Sequence, residues 1–331
     1  MSENGTLVED PTHSLRITLS IIGVVFGAET LAVNVFALWF FNKTSSFRNK
    51  HTMLIMIKIL ADIPAVSVLI FWWLPWVFFM DKMTVEVLPW FRYPNVVFSS
   101  IAHFTSFFAL NMQIHILMAR FVGVFYTFTF NKIFRRKYMI ILFGINIFWC
   151  FNSVALTSFY FGAFNFYIPG LFFSFSLKVP SFAQVDIPMA AQIAVMVQIW
   201  ILVAICLGLA IATVVKLRRL NNAQAEAHGM GGEIGKKRRS AEWKLLVISI
   251  ASPLLCTIQL VALASSYFYL KGENLSELII YCFFVTCVAE LLQAQSYAIL
   301  QLAINQSFWR FVRCQSKSST IIGSTKITDS W

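Results

Sequence analysis

The sequence specifies an all-α membrane protein: a seven-transmembrane helix bundle with its N-terminus outside and a short C-terminal amphipathic helix. Three observations carry this reading. The 331 residues are 58% hydrophobic and only 12% charged, about half the charge of a soluble domain. The apolar residues fall into long uninterrupted runs, and the cationic side chains gather in alternate connections between them.

A helix needs about 20 apolar residues to cross the hydrocarbon. Seven runs meet that length, at 17–41, 52–80, 95–123, 138–161, 187–215, 245–270 and 278–303. Backbone groups in lipid must bond within their own segment, so these runs are helices. Barrel strands of about ten residues do not fit them. The chain divides into an extracellular tail (1–16), the bundle (17–303) and a cytoplasmic surface helix with its tail (304–331). The tail is acidic, with Glu3, Glu9 and Asp10. It lacks the basic start of a cleaved signal, so the first run is expected to remain as a span.

Orientation follows from Lys and Arg. Connections 42–51, 127–137 and 216–244 and the tail from 304 hold nineteen of them, including Arg218, Arg219, Lys236, Lys237, Arg238 and Arg239. The opposite side holds five: Arg16, Lys82, Arg92, Lys178 and Lys271. The positive-inside rule places the richer face in the cytoplasm. The net charge of +11 is therefore a topology signal and a lipid-facing one, not a nucleic-acid footprint. Sequons at Asn4 and Asn274 fall on the outer side and are expected glycosylation sites, although Asn42-Lys43-Thr44 falls on the inner side.

No CxxC or Cys/His metal spacing occurs among the six cysteines. No metal and no cofactor is expected. His103 and His115 are the only histidines within the spans, and twelve residues apart they form no His-x-x-x-His ligand pair, which argues against a membrane metallohydrolase. The seventh span has no lysine for a retinal Schiff base. The chain is not expected to be an enzyme.

Ionisable residues inside a membrane are costly, so each is a candidate site. The spans hold Glu29, Lys58, Asp62, Arg120 and Glu290. Lys58 lies near the inner end of the second span, close enough to snorkel to the interface. It also stands four residues before Asp62, where an ion pair on one helix face is open to it. Glu290, Gln293, Tyr297 and Gln301 recur at helical steps on the seventh span. With Asn34 and Asp62 they are expected to form a buried polar core between the first, second and seventh spans. That core is either glue or a switch.

On the third span, His103 shares a face with Ser99, Ser106 and Phe107, about a turn or two below the outer surface. This is the expected ligand pocket, with a packing histidine as the alternative. Arg120 ends the same helix on the inner side, placed either for lipid phosphates or for a docking protein. After the seventh span, Phe308, Phe311 and Val312 oppose Arg310, Arg313 and Lys317, the pattern of a helix lying in the membrane surface. Cys314 at its end is an expected palmitoylation site.

With this layout, the chain resembles a G-protein-coupled receptor of the nematode serpentine chemoreceptor type. The residues carrying the resemblance are Asn34 in Val33-Asn34-Val35, Leu60-Ala61-Asp62, Arg120-Phe121 with Val124 following, and Asn305 to Phe308 with Arg310 after it. An Srg-like branch is suggested. Three departures stand out. Ala119 replaces the acidic residue before the arginine, Ser296-Tyr297-Ala298-Ile299 replaces Asn-Pro-x-x-Tyr, and no cysteine stands at the outer end of the third span.

The resemblance implies a receptor in the plasma membrane, in a sensory cilium on the finer expectation. It would bind an external small molecule and signal through a heterotrimeric G protein. Arg120, Asn34, Asp62, Glu290 and Tyr297 would then be coupling or switch residues, and the basic loop ends a docking surface. The outer halves hold Phe, Trp, Ser and His103 but few charges, so a neutral or weakly polar ligand is expected. The rival reading is a multi-pass transporter using Glu29, Asp62 and Glu290 as a cation path. The absence of an internal repeat argues against it.

Overall fold

The computed structural model describes residues 13–43, 50–79, 89–126, 130, 132–155, 163–168, 173–178, 189–228, parts of 247–262, 277–304 and 308. Helix α1 (His13–Lys43) is the first span. Helix α2 (Lys50–Val68), a π-helical turn (Leu69–Trp73) and α3 (Leu74–Phe79) form the second. The third is α4 (Pro89–Phe125), the fourth α5 (Arg136–Ala155) and the fifth α6 (Met189–His228). Helical residues 253–259, here α7, belong to the sixth. The seventh is α8 (Glu277–Ile304). Five of these, all but the fourth and sixth, contain stretches long and apolar enough to cross a membrane; Met139–Ala155 is a shorter apolar helix.

The third span is the hub, packing against the second, fourth and fifth, while the first packs against the second and seventh and the seventh also reaches the second. Two apolar clusters result. The outer one joins Leu19, Leu69, Trp73, Ala102, Ile280 and Leu291. The inner one joins Phe40, Leu54, Ile59, Met112, Ile116 and Tyr297. Ile140, Ile141, Ile145, Phe148 and Trp149 on the fourth span point outward. An outward apolar face is stable only against lipid tails.

The second span departs from a regular helix for a local reason. Pro64 lies within α2 and Pro75 follows the π turn. Proline has no N–H, and its ring presses on the carbonyl four residues earlier. For Pro75 that carbonyl belongs to Phe71, inside the π turn. The wider turn, closed by the Leu74 N–H on the Leu69 carbonyl, makes room for the ring.

This irregular segment packs where the first span is smoothest. Gly23 and Gly27 form a Gly-x-x-x-Gly step, which lets two membrane helices approach closely. A Cβ added at Gly27 would lie 2.7 Å from the Ile70 side chain, and one at Gly23 would lie 3.0 Å from Leu74. The Ser20 hydroxyl, one turn outward, donates to the Leu74 carbonyl at 2.9 Å. The motif is plain in the sequence, but glycine is neither polar nor bulky and leaves no mark on an apolar run.

Among the described residues, one β-hairpin departs from the helical pattern. Strands β1 (Ala163–Ile168) and β2 (Phe173–Lys178) pair antiparallel, from Ala163 opposite Lys178 to Ile168 opposite Phe173. They lie in the connection between the fourth and fifth spans, with β1 against α4. Phe-Ser-Phe-Ser-Leu-Lys alternates strictly, and Pro169-Gly170 precedes it. Both are hairpin signals that the search for 20-residue runs does not register.

Candidate functional site

The polar residues of the bundle form two groups at different depths. The inner group is built on Lys58. Its Nζ donates to Asp62 Oδ2 at 2.7 Å. The side chain is 1% exposed, so Lys58 turns inward and does not snorkel. The same ammonium stands 5.2 Å from the centre of the Tyr297 ring, within cation–π range. Tyr297 is fully buried, and its hydroxyl has no hydrogen-bond partner among the described residues. Arg120, at the inner end of the third span, is close enough to Tyr297 to interact electrostatically. Three spans thus meet at one tyrosine, with a cation from the second and another from the third.

Asn34 is also fully buried, and neither its Oδ1 nor its Nδ2 has a hydrogen-bond partner among the described residues. An unpaired buried amide costs about 1–3 kcal/mol, and polar cavities meet such demands with water.

The second group lies nearer the middle of the membrane. Ser106 Oγ donates to Glu290 Oε1 at 2.8 Å, joining the third span to the seventh. Sequence reasoning assigns Ser106 to a ligand pocket and Glu290 to a switch; here they share one hydrogen bond. Cys256 on the sixth span and Cys287 on the seventh are both near enough to Glu290 to feel its charge. One turn outward from Ser106, the His103 ring packs on Phe107 with centroids 4.7 Å apart. Ser99 is fully buried and donates to Asn95 Oδ1 at 3.4 Å. Asn95 Oδ1 also accepts from Trp72 Nε1 at 3.3 Å. Ser99 therefore serves the contact between the second and third spans, while Ser106 reaches the seventh.

A further link joins the third and fourth spans, where Asn111 Nδ2 donates to Cys150 Sγ at 3.3 Å. On the cytoplasmic side, the fifth span continues through exposed Arg218 and Arg219 to His228. At 1.5 Å per residue its 40 residues extend about 60 Å, twice the hydrocarbon thickness. Lys216 stands 5.6 Å over the Phe125 ring, tying this extension to the end of the third span. Phe308, from the expected surface helix, packs edge-on against Phe40 at 5.6 Å and Phe36 at 6.4 Å. Lys236, Lys237, Arg238, Arg239, Asn4, Asn274 and Cys314 lie outside the described residues.

The profile of the serpentine-type 7TM GPCR chemoreceptor family Srx matches residues 17–300, from the start of the first span almost to the end of the seventh. The chain belongs to the Srx family. Among curated proteins, none matches. Membership makes this Srx chain a multi-pass membrane protein of the chemosensory receptor class, which is not a class of enzymes. The nematode-type serpentine resemblance is thereby confirmed, and the branch that the match names is Srx.

Proposed function

We propose that this Srx receptor binds an external small molecule among the outer halves of its third, fifth, sixth and seventh spans and activates a heterotrimeric G protein at its cytoplasmic face. The observation that carries the proposal is that the match to a GPCR chemoreceptor family runs through every expected span. The chain is at home in the plasma membrane, in a sensory cilium where the cell has one. Its N-terminal tail is outside, and its basic connections, surface helix and tail are inside. The pocket is floored by Ser106 and walled by His103 and Phe107, with Ser99 behind them. Its few charges favour a neutral or weakly polar ligand.

Binding favours the conformation to which the ligand has higher affinity, and by no more than that difference. The element biased is the contact of the third and seventh spans. Arg120 and Tyr297 face each other at its inner end, with Lys58, Asp62 and Asn34 beside them. The extended fifth span presents Arg218 and Arg219 to the G protein, and Lys236, Lys237, Arg238 and Arg239 add to the same basic surface. Anionic lipid headgroups favour these charges as well. Asn4 and Asn274 carry glycans and Cys314 carries palmitate in this scheme.

The test is nucleotide exchange. Membranes from cells expressing the chain with representative Gα subunits are challenged with a small-molecule panel. Ligand-dependent GDP release is expected, and Arg120→Ala is expected to remove it at unchanged surface expression. Solute uptake by the purified protein in liposomes, with no exchange on any Gα class, would favour the transporter instead.

A further inference from the structure

Among the described residues, buried Asp62 and part-buried Glu290 are treated differently. Asp62 is paired with Lys58 at 2.7 Å. Glu290 accepts one hydrogen bond, from Ser106, on Oε1. Among the described residues no cation pairs with it, and its Oε2 accepts no hydrogen bond. The groups around it are poor counter-charges. Ser106 on the third span is neutral, Cys256 on the sixth and Cys287 on the seventh are thiols, and Asp62 on the second is itself an acid already matched by Lys58. A carboxylate left so in a low-dielectric interior is expensive. A cation brought in from outside would lower that cost, and an aromatic wall on the approach would help to hold it. The His103 ring, one turn outward from Ser106, packs on Phe107 and supplies such a wall.

We infer that Glu290 is the specificity-determining residue of the outer pocket, and that the ligand is a small, mostly apolar amine whose ammonium group pairs with Glu290 Oε2 while its body lies against His103 and Phe107. This rests on the receptor reading above and replaces its neutral ligand with a cationic one. The neutral ligand expected from composition comes from counting the few charges of the outer halves. Composition does not reveal that the Glu290 carboxyl meets Ser106 of the third span.

The test needs no identified ligand. Cysteine is placed in the pocket of the full-length receptor as His103→Cys or as Ser106→Cys, which keeps a donor for Glu290. Two impermeant methanethiosulfonates are applied outside intact cells, one bearing a trimethylammonium group and one a sulfonate. Labelling of the new cysteine is followed by peptide mass spectrometry, with rates normalised to a free thiol. The cationic reagent is expected to react about tenfold faster or more, the enrichment that a focused charge gives. Glu290→Gln is expected to bring the two rates together. Equal rates with Glu290 present would overturn the amine inference and leave the pocket standing. No labelling from outside at either position would overturn the pocket itself.

Discussion

The inner and middle layers of this bundle solve the same problem, a carboxyl group in the membrane, in opposite ways. Asp62 is closed off within its own helix, since Lys58 four residues before it supplies the countercharge and Tyr297 covers the pair. Glu290 is held across helices by a neutral donor from the third span. A charge satisfied inside one helix survives when helices move. A carboxyl satisfied between two helices reports on their separation and leaves capacity for something else. We propose that the Lys58–Asp62 pair stabilises the fold, while the contact of the third and seventh spans, from Glu290 to Tyr297, differs between states.

The largest effect should come from breaking the inner pair. Lys58→Met alone, or Asp62→Leu alone, leaves one uncompensated charge in the interior and is expected to cost about 3–5 kcal/mol. The double variant Lys58→Met/Asp62→Leu should recover most of that. Thermal unfolding of the four proteins in detergent measures the cycle, and strict additivity of the two single losses would contradict the pair.

Next comes the close approach of the first and second spans. Gly27→Leu forces several carbons into the Ile70 side chain and is expected to cost about 1–3 kcal/mol. Gly144, with nothing within 4 Å of an added Cβ, is the control, and Gly144→Ala should stay within about 0.5 kcal/mol. Equal melting temperatures for Gly27→Leu and Gly144→Ala would remove the packing argument.

In the middle layer, Ser106→Ala should cost about 1 kcal/mol of stability, the ordinary net worth of one hydrogen bond. Its effect on signalling should exceed its effect on stability, because the bond spans the third and seventh spans. Basal nucleotide exchange that does not change while the melting temperature falls would place Ser106 with the glue. The smallest effect belongs to the tyrosine hydroxyl. Tyr297→Phe keeps the ring over Lys58 and removes an oxygen with no hydrogen-bond partner among the described residues, so stability should hold. Tyr297→Leu removes the cation–π contact and should cost about 0.5–2 kcal/mol.

How much of this was legible in the sequence differs between the layers for a physical reason. Spacing along one helix is readable, so Lys58 and Asp62 appear as a candidate pair, and Glu290, Gln293, Tyr297 and Gln301 as one stripe. Partners across helices are not readable. Nothing in the run around Glu290 says that Ser106, 184 positions earlier, will meet it, or that Asn34 will be buried with no hydrogen-bond partner among the described residues. The direction of a long side chain is also set by packing, which is why Lys58 turns inward where snorkelling is equally open to it. Gly23 and Gly27 and the alternating Phe-Ser-Phe-Ser strand were visible signals, hidden only because a search for apolar length weighs neither.

The account depends most on an odd number of crossings, since only then do the pocket and the basic surface face opposite sides. The direct measurement is antibody access to epitope tags fused to the two ends of the full chain. An N-terminal tag stained on intact cells, with a C-terminal tag stained only after permeabilisation, is the predicted result. Both tags stained on the same side would contradict the topology and the receptor arrangement built on it.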